Sequence, residues 1–556
     1  MESWLNQQVL CQLSLNPKSK HTLHIRWGKC LDIIKIMPNF TFKSWNNPKH
    51  RQILKYPNMI QKLLLTTAII ISGALAQAQA QAQPKAQPQL KLSGPVDTTY
   101  FKHADFKWHI TPRHDYSKTL VGKLFLSQAH FDEIFKLRDN GKQTNYMNCA
   151  EALEAIKAMD KITLGMPKIM YLVGWQYNGH DSKYPAFFEC NEAIKAPGDA
   201  NAYESILKLI EEAKKYNTAV SFHINMFNCY DDSPVFKKYL MDDVLAKYED
   251  GSYVFSDWGY SISYARDWAT GNAQSRLDKL CELFPISEAG TLHIDAFHSY
   301  VPVPKIVNDK FVYTKKTPIS PYHHLSKQDE IDAQLNIIKY LDSKGIDVTS
   351  EYCPDKAFMG YMPGVWHKND AYLYFNYTPK QIGCTNTNFF GDVFCRNVNA
   401  ETAFKDGGNT MHDKAMTFKK TFYISSLPYF YISGLTPIVY YKSRECDDAC
   451  AKFTEGVTTY YVNDKFYLYK DGVLLANDTD IFIPAKWAGD NIVVAYSDKG
   501  YKNVTWTIPS DVKVTKDKAK AYRIDDDGEH YTGEVQIRNG KVTLSLAAEE
   551  MLKIEF

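Results

Sequence analysis

Between about residue 165 and residue 440 the chain alternates apolar runs of strand length with amphipathic stretches of helical spacing, and this alternation restricts the fold more than any other feature. Residues 168–175, KIMYLVGW, form one apolar run. The stretch that follows puts Ile206, Leu207, Ile210 and Ala213 on a single helical face. Residues 218–225, TAVSFHIN, form the next run. NAQSRLDKLCELF then spaces Ala273, Leu277, Leu280, Cys281 and Phe284 as a helix does, and it leads straight into TLHIDAF. Ser326 with Asp329 is close to a capping box, and the stripe of Ile331, Leu335, Ile338 and Leu341 stops at Gly345, just before IDVTSEY. Repeated strand-then-helix units bury their apolar faces by laying strands in parallel under helices. The pattern therefore predicts an α/β fold, a (β/α)8 TIM-type barrel, with a doubly wound open sheet as the alternative.

After about residue 456 the period changes to two. Alternating runs are broken at Asp471-Gly472, Lys499-Gly500 and Asn539-Gly540, which predicts an all-β sandwich over residues 457–556. Ahead of the barrel, residues 59–76 read as a signal peptide: a Lys, an apolar run from Leu63 to Ile71, then ALA. That run is shorter than the ~20 residues a bilayer span requires, so no membrane anchor is expected. Residues 1–58 are expected to be a non-native extension with translation starting at Met59; a long leader or internal anchor is the alternative. Residues 77–91 have the Gln/Ala/Pro composition of a linker, leaving 92–456 for the barrel with a short lead-in. A secreted or periplasmic location follows from the leader. Local pairs such as Cys446 with Cys450, or Cys384 with Cys395, could then form disulfides. No CxxC pair is present, which argues against a structural zinc site.

Basic and acidic residues number 65 and 63, without a basic block, and this excludes a nucleic-acid footprint. Aromatic residues make up 14% of the chain, a content that suits stacking on sugar rings and equally suits a large core.

Barrel chemistry sits where strands end and βα loops begin. Four runs end in polar groups there: YLVGWQYNGHD, SFHIN, HIDAFHS and VTSEY. Asp295 and Glu351 fall at equivalent places in successive units. Two carboxylates at one mouth are what glycoside hydrolysis needs, one to attack or to activate water and one to protonate the leaving oxygen. A strand-end carboxylate can also cap a helix or pair with a cation. His293, Asp295 and His298 could instead ligate zinc, but His298 lies past the strand end, so no metal or other cofactor is expected. A Ser-His-Asp site is disfavoured because no GxSxG elbow is present.

The segments YLVGWQYNGHDSKYP, SFHIN, DWGYSISYARDW, HIDAFHS and DVTSEY, in this order, resemble the catalytic barrel of the endo-α-N-acetylgalactosaminidases, glycoside hydrolase family 101, over roughly residues 165–440. The resemblance implies a retaining mechanism on α-linked N-acetylgalactosamine, or Galβ1-3GalNAc, at Ser or Thr of mucin-type glycans, with a carbohydrate as the partner. It implies Asp295 as nucleophile and Glu351 as general acid/base. Asp181 matches a substrate-holding carboxylate, His223 a substrate-contacting histidine, and Trp258 and Tyr260 aromatic platforms; Trp175 and His180 stand with them as candidate substrate-binding residues. Two departures bear on specificity. The lead-in before the barrel is short for the family, and residues 301–324 form an insertion after the nucleophile strand. Release of one sugar or two therefore stays open, as do a different sugar specificity and a non-catalytic glycan-binding role.

Overall fold

The computed structural model describes residues 90–556 except 103–106, 133–138, 257–258, 296, 298–304, 308–309, 313–319, 351–355 and 363–400. The expected leader, Trp258, His298, Glu351, Cys384 and Cys395 lie outside the described residues.

Five strands form one parallel sheet: β1 (Leu120–Phe125), β2 (Lys168–Val173), β3 (Thr218–Asn225), β4 (Thr291–Asp295) and β5 (Asp347–Thr349). Their order in the sheet follows their order in the chain, without reversal. Every residue of β1 and β2 is buried, as expected of strands covered on both faces. On one face, Leu124, Met170, Leu172, Val220, Phe222, Leu292, Ile294 and Val348 join the main apolar core. The helices α1 (Cys149–Ile162), α2 (Ala202–Ala213), α3 (Asn272–Leu283) and α4 (Lys327–Ser343) contribute to that core. The capping box expected at Ser326 and Asp329 is present at the start of α4.

The opposite face is set by register. Lys123 pairs with Tyr171, Tyr171 with Ser221, His223 with His293, and His293 with Thr349. Near the strand starts this face is apolar, with Tyr116, Val121, Ile169 and Tyr171 clustered together. Towards the strand ends it becomes polar, through Lys123, His223, Asn225, His293 and Asp295. A polar stretch on a buried sheet face is where a binding site is expected, because polar groups cost stability there unless they serve a purpose.

The C-terminal region is an eleven-stranded sheet with antiparallel pairings, in which Gly528–Gln536 forms one edge and Val96–Tyr100 the other. It begins at Pro437–Ser443, ahead of the expected boundary at 457, and Val96–Tyr100 joins it rather than the parallel sheet. The boundary moves because Pro437–Ser443 is paired on both sides, by Val96–Tyr100 and by Ala449–Phe453. A second layer, Tyr501–Thr507 with Lys541–Leu546, encloses a separate core in which Trp506 stacks on Phe482 at 5.4 Å. Residues 80–556 form one compact unit. The two regions share one core, with Tyr423 meeting Tyr496 at 5.3 Å between ring centroids.

The turn chemistry is as the sequence implies at two of the three dipeptides, whereas Lys499-Gly500 links Ile492–Ser497 to Tyr501–Thr507, which pairs with Lys541–Leu546 instead. Asp471 and Gly472 take φ of 48° and 77°, and Asn539 and Gly540 take 50° and 68°, the left-handed pair of a tight hairpin. The cysteine expectation is corrected: Cys446 is exposed and unpaired, and Cys450 is buried and unpaired, as each sits on its own side of the strand start. Among the described residues, no helix is long and apolar enough to cross a membrane.

Candidate active site

Asp295 ends β4, beside Asn225 on β3. Its side chain is 18% exposed, and its Oδ2 lies 3.9 Å from His223 Nε2, in contact but beyond hydrogen-bond reach. His223 is enclosed on three sides. His293 stacks on it at 5.2 Å, His180 meets it edge-on at 5.2 Å, and its backbone carbonyl accepts from Trp175 Nε1 at 3.1 Å. Burial, reinforced by the charge of Lys123 and by the His293 and His180 rings, holds the His223 pKa well below the usual histidine value. The imidazole is therefore neutral at ordinary pH. Its Nδ1 is buried and makes no hydrogen bond among the described residues.

His293 is fixed from below. Its Nδ1 is 2.9 Å from Thr349 Oγ1, which donates to Tyr171 Oη at 3.0 Å; Tyr171 Oη is in turn 2.6 Å from Thr291 Oγ1. Tyr116 continues the chain to Asp347, which Arg113 holds through its backbone N–H at 2.8 Å and its guanidinium at 3.0 Å. A connected polar column thus runs through β2, β4 and β5 beneath the site. Such networks make side-chain positions unique when every member is satisfied.

The loop after β2 brings His180 and Asp181 to the same end. Gly174 starts it at φ 77°, where a Cβ would lie 1.9 Å from the Ser127 carbonyl oxygen, so only glycine fits. His180 Nδ1 lies 3.1 Å from Tyr184 Oη, and its Nε2 is 3.5 Å from Asp181 Oδ2. Asp181 is 15% exposed; Tyr230 Oη and Gln128 Nε2 donate to it at 3.5 Å and 3.4 Å. Burial first, then the charges of Asp181 and Asp295, push the phenols of Tyr184 and Tyr230 well up. Both tyrosines are thus within electrostatic reach of both carboxylates and stay protonated donors.

The structure therefore brings together Asp295, His223, His180 and Asp181. Tyr260 sits in an aromatic group with Phe236, Tyr253 and Phe255, at centroid distances of 5.4, 5.9 and 5.1 Å. Trp175 requires correction: it is fully buried against Phe222 and Phe284 and has no face to offer a sugar. Its position after β2 turns the ring to the apolar core. Sequence reasoning missed Tyr184, Tyr230 and Lys123. Only Lys123 carries a signal, as the one charge inside the run LVGKLF.

Of the three residues weighed as zinc ligands, His293 and Asp295 share β4 and His298 lies outside the described residues. The one carboxylate and histidine group among the described residues with ligand-like spacing is Asp525, Asp527 and His530, on the distant C-terminal hairpin. There Asp525 is already paired with Lys419 at 2.9 Å and Arg523 at 2.8 Å.

Residues 141–306, which contain β2, β3, β4 and the loop bearing Asp181, match the family model described as endo-α-N-acetylgalactosaminidase. Over these residues the match is to a glycoside hydrolase domain. Within that class, residues 141–306 are similar to the endo-α-N-acetylgalactosaminidases. Similar solved structures include the α-N-acetylgalactosaminidase NagBb from Bifidobacterium bifidum, at 9% identity and a TM-score of 0.45, covering 64% of this chain and 57% of that one. The chain thus spans less than two thirds of that neighbour's length. An α-amylase from Geobacillus thermoleovorans is similar at 8% identity and a TM-score of 0.39, covering 80% of this chain and 100% of that one.

Proposed function

We propose that this protein is a secreted retaining glycosidase acting on α-linked N-acetylgalactosamine of mucin-type O-glycans, with its site at the mouth of a (β/α)8 barrel. The observation that carries this reading is the group at the strand ends: Asp295 closes β4 with its Oδ2 3.9 Å from Nε2 of the buried His223, and His223 meets His180, whose Nε2 is 3.5 Å from Asp181. A carboxylate at a strand end beside a neutral ring suits a nucleophile, and the resemblance supplies Glu351 as its acid/base partner, ~5 Å away in a retaining pair. Five parallel strands in chain order, without the reversal of a doubly wound sheet, support the barrel.

In the first step the Asp295 carboxylate attacks the anomeric carbon while the C–O bond to the Ser or Thr oxygen breaks and Glu351 gives that oxygen its proton. In the second, the Glu351 carboxylate takes a proton from water as the water oxygen attacks the anomeric carbon and frees Asp295. His223, neutral and enclosed, offers N–H or lone pair to the sugar without competing for the proton. Asp181 accepts from sugar hydroxyls. The segment at residues 59–76 supports secretion.

The test is hydrolysis of aryl α-N-acetylgalactosaminide and aryl Galβ1-3GalNAc glycosides, with the product anomer read by NMR. An α-anomer formed first, and a loss of at least about 10³-fold in kcat for Asp295→Ala and Glu351→Ala, are expected. Wild-type-like turnover in either variant, or a β-anomer formed first, overturns the assignment. The size of the released sugar separates endo from exo action.

A further inference from the structure

The loop that presents Asp181 is held in an unfavourable backbone shape by one buried carboxylate outside the matched segment. Three non-glycine residues within seven, Tyr177, Asp181 and Lys183, take left-handed φ of 46°, 65° and 59°. Such conformations persist only where the surroundings impose them. Asp139 supplies the imposition. Its side chain is 2% exposed. It accepts from Asn178 Nδ2 at 2.9 Å on each oxygen, from Ser182 Oγ at 2.5 Å and from the Gly141 N–H at 2.8 Å.

These anchors straddle Asp181, three residues before it and one after. Lys183 completes the grip: its Nζ lies 2.8 Å from Asp232 Oδ2 and 3.8 Å from Asp139, and the Asp139 backbone N–H donates to Asp232 at 3.1 Å. The neighbouring residue is clamped separately, because the His180 N–H donates to the Ser127 carbonyl at 2.9 Å and its carbonyl accepts from the Ala129 N–H at 3.1 Å. Burial opposes ionisation of Asp139, but the donors of Ser182, Asn178 and Gly141 hold its carboxyl below the usual range. It therefore remains an acceptor for all of them.

We propose that Asp139 is a positioning residue, which fixes the Asp181 carboxylate in the direction that binds the sugar before the sugar arrives. The proposal rests on the reading of Asp181 as the sugar-holding carboxylate. Preorganisation of this kind lowers the ordering that substrate binding would otherwise require, so it is read in KM more than in kcat.

The test is a double-mutant cycle on the full chain with D139N, D181N and D139N/D181N. It measures kcat and KM on aryl α-N-acetylgalactosaminide and the Kd of free N-acetylgalactosamine by calorimetry. An asparagine cannot accept from Asn178 and Ser182 on both of its heteroatoms. D139N is expected to raise KM and Kd about tenfold with kcat within about threefold, and to add less than about twofold once D181N is present. Additive losses, or an unchanged KM in D139N, overturn the proposal. Ser182→Ala weakens the same grip from the loop side and serves if D139N fails to fold; it should raise KM in the same direction, and an unchanged KM there is equally fatal. A wild-type protein that neither hydrolyses the glycoside nor binds the sugar overturns the glycosidase reading itself, whereas wild-type turnover with an additive cycle removes only the role of Asp139.

Discussion

His223 and Asp295 face each other across the β3–β4 pair, with Nε2 and Oδ2 3.9 Å apart, one ring buried and uncharged and one carboxylate open to the strand-end mouth. The imidazole can steer substrate and carboxylate without neutralising the carboxylate, because burial prevents it from carrying a proton of its own.

This separation of roles fixes a pH signature. His223→Ala should lower kcat/KM by about 10²-fold, the size typical of a lost polar contact at a reacting centre, while the acidic limb of the kcat/KM profile survives. That limb belongs to protonation of a carboxylate. A limb that vanishes in the variant would show instead that the histidine titrates.

Glu330 on α4 is fully buried behind the site, where it accepts from Ser263 Oγ at 2.6 Å and the Ala265 N–H at 3.1 Å. Burial outweighs these donors and raises its pKa to about 7. A raised carboxyl pKa means that the folded state holds the proton longer than the unfolded one. Its contribution is complete below about pH 4.5 and is lost as pH rises through about 7, up to roughly 3 kcal/mol in all. Glu330→Gln can orient its oxygen to the backbone donors and its amide to Ser263. Urea unfolding at pH 5 and pH 8 should show the variant gaining on wild type at the higher pH; a constant difference would refute the assignment.

Trp175 is a core residue, so its substitution should be felt in stability. Trp175→Ala is expected to cost about 3–5 kcal/mol in denaturant unfolding. Trp175→Phe, which keeps the apolar volume but loses the bond to the His223 carbonyl, should cost about 1–2 kcal/mol. KM of the phenylalanine variant should stay within about twofold. A large rise in KM at unchanged stability would restore Trp175 to the sugar site.

Cys446 is exposed and unpaired. Iodoacetamide applied to the native, unreduced protein should label the peptide that carries it, as read by mass spectrometry. An unlabelled Cys446 linked to Cys450 would reverse this finding.

The amino-acid sequence by itself determined the strands at 168–173, 218–225 and 291–295, the capped start of α4 and the Asp-Gly and Asn-Gly turns. Each rests on local periodicity or local hydrogen bonding that a short segment expresses alone. It also marked Asp295, His223, His180 and Asp181, because polar residues at the end of an apolar run stand out. Tertiary structure alone decided the rest. The pairing of Val96–Tyr100 with Pro437–Ser443 joins segments more than 300 residues apart, and no local pattern encodes such a partner. The direction of the Trp175 ring, the approach of Tyr184 and Tyr230 to two carboxylates, and the grip of Asp139 on the Asp181 loop follow from register and packing. A one-residue shift in register would send each side chain to the other face. The periodicity within a strand is local physics, whereas the neighbour of each side chain is set only when distant strands meet.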